Sequence, residues 1–115
     1  MYSKPQFLQG VYPFFGEGLM TPNALSPALT YTVPAGKRSQ FIYFRAGNSS
    51  SALIYVVLLR DGAPMRYFPI GAQSDVHVAL AVVEDLLSGT RLEVALAAPD
   101  GVSGVLVLDI GITEV

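Results

Sequence analysis

The chain has 115 residues, of which 51% are hydrophobic and only 14% are charged, and its formal net charge is −2. A chain of this length forms one domain with a single core. Its charged fraction lies well below the roughly 25% usual in soluble domains, so we expect another protein to cover part of its apolar surface. The seven basic residues are scattered along the chain and predict no basic stripe, which argues against binding to DNA or RNA.

The chain contains no cysteine, so disulfides, thiolate nucleophiles and thiolate metal sites are excluded. Residues 1–10 lack the continuous apolar stretch and the small-residue cleavage site of a signal peptide. The longest apolar runs, at 52–59 and 76–83, have the length of strands and are too short to span a bilayer. We therefore expect a protein that is made and kept in the cytosol unless an assembly carries it elsewhere, and that does not bind membranes.

Residues 1–29 differ in composition from the rest of the chain and are called the N-terminal arm. They contain four prolines and five aromatic residues: Pro5, Pro13, Pro22, Pro27, Tyr2, Phe7, Tyr12, Phe14 and Phe15. Prolines at this density exclude a continuous helix and an interior strand, whereas a solvated disordered tail would be poor in aromatic residues. We predict an extended arm whose rings dock on a surface, either of its own domain or of a neighbouring subunit.

From residue 30 onward, β-rich segments alternate with turn signals. Turns are expected at 34–36, 47–51, 60–62 and 99–101, where proline, glycine, asparagine or aspartate supply the required backbone angles. Inward-facing rows are predicted in a strand over 75–83 and in two later strands: Val76, Val78, Leu80, Val82, Leu92, Val94, Leu96, Leu106, Leu108, Ile110 and Ile112. The spacing of the turns predicts an all-β fold, a single antiparallel, jelly-roll-like β-sandwich over residues 30–115, with the extended arm before it.

The segment 40–45 carries large apolar groups on both faces of its predicted strand. Strict alternation places Phe41, Tyr43 and Arg45 on one face, and Ile42 and Phe44 on the other. One face is expected to meet the core and the other an interface. Together with the aromatic residues of the arm, this predicts a set of interface residues: Tyr2, Phe7, Tyr12, Phe14, Phe15, Phe41 and Tyr43.

The sequence predicts no catalytic site, no metal site and no cofactor. His77 is the only histidine, and its neighbours Ser74 and Asp75 lie on the same segment, whereas a catalytic triad converges from different elements. Four acids fall in turns, at Asp61, Glu84, Asp85 and Asp100, where a structural cation is a minor alternative. Asn48-Ser49-Ser50 matches a glycosylation sequon and is interpreted here as turn chemistry.

The turns of residues 30–115 resemble those of a family of small β-sandwich modules in tailed-phage virions. The shared features are a Val-Pro-Ala-Gly-Lys entry at 33–37, the Asn-Ser-Ser turn at 48–50, a strand with a closing glycine at 54–62 and a Ser-Gly-Thr-Arg-Leu segment at 88–92. This chain has Gly89-Thr90 where the family more often has Gly-Asp. The resemblance leaves the arm outside, and it carries no catalytic residues to transfer.

Membership of this family implies a structural role in the capsid, the neck or the tail of a virion. With few charges and an aromatic arm, we expect a capsid decoration (cement) protein, one that binds the major capsid protein on the outer shell and self-associates, with a trimer favoured. The arm would add contact area on a second coat subunit. Two alternatives stay open: a neck, tail or receptor-binding fibre component, and a lectin-type carbohydrate-binding module that uses exposed Tyr and Phe rings.

Overall fold

A computed structural model describes residues 4–80 and 84–115, and within these ranges the chain is all-β. The strands are β1 (Lys4–Phe15), β2 (Asn23–Ala24), β3 (Thr30–Thr32), β4 (Ser39–Asn48), β5 (Ile54–Arg60), β6 (Ala63–Ile70), β7 (Asp75–Ala79), β8 (Asp85–Leu86), β9 (Arg91–Ala97) and β10 (Ser103–Glu114). They form two antiparallel sheets packed as a sandwich, which confirms the predicted fold class.

Sheet I has the order β1-β10-β4-β7, with β8 also paired to β4, and sheet II has the order β2-β9-β5-β6, with β3 also paired to β9. Among the segments through which the chain crosses between the sheets are the loops 49–53, 71–74 and 98–102. These loops and the 16–22 segment share one end of the sandwich, which we call the loop end. The turns at 33–38, 61–62 and 87–90, the start of β1 at Lys4 and the C-terminal residue Val115 lie at the opposite end, which we call the terminal end.

The core lies between the sheets and is built from alternating strand residues. The inward rows predicted for the two late strands are confirmed, because all of their members are at least 96% buried: Leu92, Val94, Leu96, Leu106, Leu108, Ile110 and Ile112. Phe44 stacks on Phe68 with ring centroids 4.0 Å apart, and Phe41 meets the same ring edge-on at 5.9 Å. This aromatic cluster joins β4 of sheet I to β6 of sheet II and thereby fixes the two layers together.

The turn chemistry predicted from glycine, proline and aspartate matches the structure. Gly36 has φ of 75°, and the Lys37 N–H donates to the Pro34 carbonyl. Asp61 and Gly62 both have positive φ and join β5 to β6 as a two-residue hairpin loop, as a type I′ turn requires. The Asp61 carboxylate also accepts the Arg91 N–H at 2.9 Å, so this hairpin is tied to β9.

The described part of the N-terminal arm docks on its own domain, where residues 4–15 form an integral strand of the sandwich. β1 pairs with β10 from Lys4 opposite Glu114 to Phe15 opposite Ser103. Leu8, Phe14 and Leu29, all placed in the arm by composition, are buried in the core. An edge strand accommodates proline wherever the missing N–H would face solvent. Proline density therefore excluded an interior strand but did not exclude this one.

A β-bulge in β4 overturns the face assignment of Phe41. Tyr43 lies opposite Gly111 and Phe41 opposite Ile112, so Ile42 is the extra residue. Phe41 and Phe44 consequently both point into the core, at 3% and 0% exposure. Strict alternation had placed them on opposite faces. The bulge turns the Phe41 ring into the core, so Phe41 does not lie on the surface of this chain. The prediction that Phe41 is an interface residue is therefore wrong.

At the terminal end, a polar cluster closes the core. Glu114 is 4% exposed and accepts a hydrogen bond from the Tyr31 hydroxyl, which lies 2.8 Å from the Ser39 hydroxyl. Burial, followed by the hydrogen bond to Glu114, raises the pKa of Tyr31 to about 12. The cluster joins β3 of sheet II to β4 and β10 of sheet I.

This cluster predicts a stability loss at alkaline pH. The neutral Tyr31 hydroxyl is the donor, so its contribution is complete below the unfolded pKa near 10 and is lost as the pH rises through about 12. Replacing Tyr31 with phenylalanine should lower the free energy of unfolding by about 1–3 kcal/mol at pH 7, because buried Glu114 loses its donor. Thermal melts from pH 7 to 12 should also show a shallower alkaline decline for this variant than for Tyr67→Phe, an exposed control. Parallel pH profiles would contradict the assignment.

Candidate functional site

The outer face of sheet I carries a row of exposed apolar side chains. Its members alternate with core residues along β1 and β10: Phe7, Val11 and Phe15 on β1 are 52%, 66% and 66% exposed, and Val105 and Val107 on β10 are 38% and 54% exposed. The strand register places Val11 beside Val107 and Pro13 beside Val105. We call this set the β1/β10 apolar face. Scattered exposed apolar residues are ordinary, whereas a contiguous group marks a contact surface.

A polar row crosses the same side of the sheet between Phe7 and Val11, so Phe7 lies apart from the other members of the apolar face. The register aligns Gln9, Asp109, Arg45 and His77 across β1, β10, β4 and β7. Arg45 forms an ion pair with Asp109, which also accepts a hydrogen bond from the Tyr43 hydroxyl at 3.0 Å. Burial, and then this hydrogen bond, raise the pKa of Tyr43. The row fixes the side chains of two neighbouring strands and gives a polar border to the group formed by Val11, Phe15, Val105 and Val107, as protein interfaces have.

Tyr43 fills the space left by a glycine on the neighbouring strand. A Cβ built at Gly111 would lie 1.9 Å from the Tyr43 ring, so the ring lies flat across β10. The His77 ring meets Tyr43 edge-on with centroids 6.4 Å apart. Gly47, on the other side of Arg45, leaves a shallow depression between Val107 and the side chains of β7. The outer face is therefore concave between Val107 and β7.

The structure separates the predicted interface residues into three groups. Phe7 and Phe15 lie exposed on the apolar face, as an interface requires. Phe14 and Phe41 are buried in the core, and Tyr12 and Tyr43 are half-buried. Tyr2 lies outside the described residues. Sequence reasoning missed Val11, Val105 and Val107, although alternation in β10 had assigned the even-numbered residues inward and so left its odd-numbered valines outward.

The residues considered for chemistry do not converge. His77 is exposed on β7, and the Ser74 hydroxyl donates to the Ala72 carbonyl. Glu84 pairs with Arg60 and Arg66, and Asp85 pairs with Arg38 at the terminal end. Across residues 4–80 and 84–115, no three His, Asp or Glu side chains lie close enough together to hold a metal ion.

A second apolar patch lies at the loop end, on sheet II. Met20, Leu53 and Tyr67 are 93%, 50% and 59% exposed. The Tyr55 hydroxyl donates to the Leu19 carbonyl at 2.7 Å and so holds the 16–22 segment against the sheet. Tyr55 and Tyr67 are tilted by 60°, so their rings do not form one flat stacking platform.

No known protein-family model matches the chain, and a sequence comparison with curated proteins finds no match either. In the described parts of the chain, no helix has the length and apolar character needed to cross a bilayer.

Proposed function

We propose that this chain is a structural protein of a bacteriophage virion, a capsid decoration protein that binds the outer shell and stabilises it. The observation that carries the proposal is the β1/β10 apolar face, in which five large apolar side chains are exposed on one side of two paired strands in a chain with few charges. The resemblance of the 33–37, 48–50 and 88–92 turns to virion β-sandwich modules supports the viral setting. In this role the major capsid protein covers the apolar face and the chain performs no reaction.

The proposed mechanism is burial of the apolar face on a coat subunit. Phe7, Val11 and Phe15 are spaced four residues apart on the same side of β1, and Val107 lies beside Val11 on β10. Each large apolar side chain that becomes fully covered contributes about 1.5–3 kcal/mol before the costs of association. When many copies are bound to one shell, they hold neighbouring coat subunits together against the outward pressure of the packaged DNA. Because residues 4–15 pair with β10 of their own sandwich, they do not reach a second coat subunit as a free arm. Attachment is proposed to use the apolar face.

A charge in the middle of the face should abolish attachment. We expect Val107→Lys to weaken binding to expanded capsids by about 100-fold or more, because a lysine ammonium would be buried without a partner. Val107 is exposed and lies on the outer side of β10, so the fold should be kept. The matched control is Thr32→Lys, which adds the same charge on the exposed side of β3.

Co-sedimentation with capsids of the phage that carries the chain measures this effect. Loss of binding for Val107→Lys with retention for Thr32→Lys supports the proposal. Equal binding by both variants would show that another surface is used. Binding of the wild-type chain to isolated tails, with none to capsids, would favour the neck or tail alternative.

A further inference from the structure

β1 is an edge strand, and in the described parts of the chain no other strand pairs with its side away from β10. The Gly16 N–H donates to the Val102 carbonyl, so the even-numbered residues of this stretch turn their backbone groups toward β10. In an antiparallel strand the N–H and C=O of one residue point to the same side. The odd-numbered residues from Pro5 to Phe15 therefore direct their backbone groups to the free edge. Pro5 and Pro13 belong to this odd set, where their missing N–H groups do not affect pairing with β10.

The same odd-numbered residues carry the side chains of the apolar face. Phe7, Val11 and Phe15 are evenly spaced, four residues apart, with Val11 at the centre. A two-fold axis through Val11 would place a second β1 antiparallel to the first. Phe7 then faces Phe15 of the second copy, and Val11 faces Val11 of the second copy. Cross-strand aromatic and aliphatic pairs of this kind stabilise a sheet by about 0.2–1 kcal/mol each.

This register also satisfies the backbone hydrogen bonds. Each facing pair of odd-numbered residues exchanges two N–H···O bonds, except where Gln9 faces Pro13 of the second copy. There the Gln9 N–H still reaches the Pro13 carbonyl, and only the Gln9 carbonyl lacks a donor from the second copy. That carbonyl already accepts a hydrogen bond from the Tyr12 hydroxyl at 3.1 Å within its own chain. No backbone group between Phe7 and Phe15 is left without a partner.

We propose that two copies of this chain pair antiparallel through their β1 edges, with the two-fold axis at Val11, and form one continuous sheet of ten strands, five from each copy. The occupant of the edge is a second copy, because both the apolar spacing and the proline position are self-complementary about Val11. Such an isologous contact closes at two subunits, so the expected assembly is a dimer and not the trimer implied by the resemblance. The dimer goes beyond capsid attachment and does not depend on it. It doubles the apolar face, because the two faces become neighbours in one sheet.

Cysteine cross-linking tests the register, because the natural chain has no cysteine. In Val11→Cys the two introduced residues face each other, with Cα atoms about 5.5 Å apart, within the range that a disulfide bridges. In Gln9→Cys the two cysteines are displaced by four residues along the strands, about 14 Å, although Gln9 is exposed on the same edge. Mild oxidation should give a covalent dimer for Val11→Cys and essentially none for Gln9→Cys. Equal cross-linking of both variants, or of neither, would overturn the register.

Proline substitution tests the hydrogen bonds. Val11→Pro removes the two N–H donors nearest the two-fold axis without removing a bond to β10, and Val11→Thr keeps them. We expect light scattering to give about twice the 12.3 kDa chain mass for the wild type and for Val11→Thr, and a dimer weakened about tenfold or more for Val11→Pro. A monomeric or trimeric wild type would overturn the proposal, as would a Val11→Pro dimer as stable as the wild type. Circular dichroism of each variant checks that the sandwich is kept, and Val11→Cys provides an independent result if Val11→Pro does not fold.

Discussion

Replacing Asn48 with aspartate is expected to lower the free energy of unfolding by about 3–5 kcal/mol at pH 7. The Asn48 side chain is 4% exposed at the end of β4. Its Nδ2 donates to the carbonyls of Ala52 at 2.9 Å and Gly71 at 3.0 Å, and its Oδ1 accepts the Ser50 N–H at 2.9 Å. One amide therefore joins two loops that cross between the sheets. Aspartate keeps the shape but turns the donor into a charged acceptor that faces two carbonyl oxygens.

The matched control is Gln73→Glu, the same amide-to-carboxylate change on an exposed side chain of the neighbouring 71–74 loop. We expect it to change stability by less than about 0.5 kcal/mol. Urea denaturation of both variants at pH 7 and pH 4 measures the difference. At pH 4 the free energy of unfolding of Asn48→Asp should be closer to that of the wild type than at pH 7. Burial raises the pKa of the new carboxyl, so this group is protonated at pH 4. Equal stability of the two variants at pH 7 would show that the Asn48 amide does not hold the crossovers.

Replacing Gly16 with alanine should destabilise the chain by about 3 kcal/mol or more. Gly16 is buried where β1 ends, its N–H donates to Val102, and its carbonyl accepts the Gly101 N–H. A Cβ at this position would lie 2.1 Å from the Pro99 carbonyl oxygen and 2.9 Å from that of Ala98. These are backbone atoms, so no side-chain rotation relieves the clash. Either β1 or the 98–102 loop must shift, and the bonds between them are lost.

Gly47→Ala provides the comparison, because Gly47 is also a strand glycine and its added Cβ would meet only the Asp75 Cβ at 3.9 Å. We expect it to be neutral or slightly stabilising, since alanine restricts the unfolded chain more than glycine does. Thermal melts of the two variants test the close approach at Gly16. A Gly16→Ala chain as stable as Gly47→Ala would contradict the packing of β1 against the 98–102 loop.

Much of the sandwich could be predicted from local signals in the sequence. Two-residue alternation identified the inward rows of β9 and β10, because one face of each of these strands meets the core along its whole length. The turns at Gly36 and Asp61-Gly62 were predictable because left-handed backbone angles favour few residue types. Gly104 and Gly111 lie under aromatic rings, as strand glycines often do at close approaches.

The errors came from features that depend on distant parts of the chain. The bulge at Ile42 shifts the phase of β4 and turns Phe41 inward, and only the pairing with β10 defines it. The proline-rich arm becomes a strand because β10 offers a partner almost 100 residues away in sequence. The valines of the apolar face were missed for a related reason. Val11 and Val107 become neighbours only when β1 and β10 lie side by side.

The most direct test of the proposed function is a cryo-EM map of phage particles that carry the chain, at a resolution that separates strands. The proposal predicts density for the sandwich on the outer shell, with the β1/β10 apolar face against the coat protein and Val107 at the contact. Density on the shell with that face open to solvent, or density confined to the neck or tail, would contradict it.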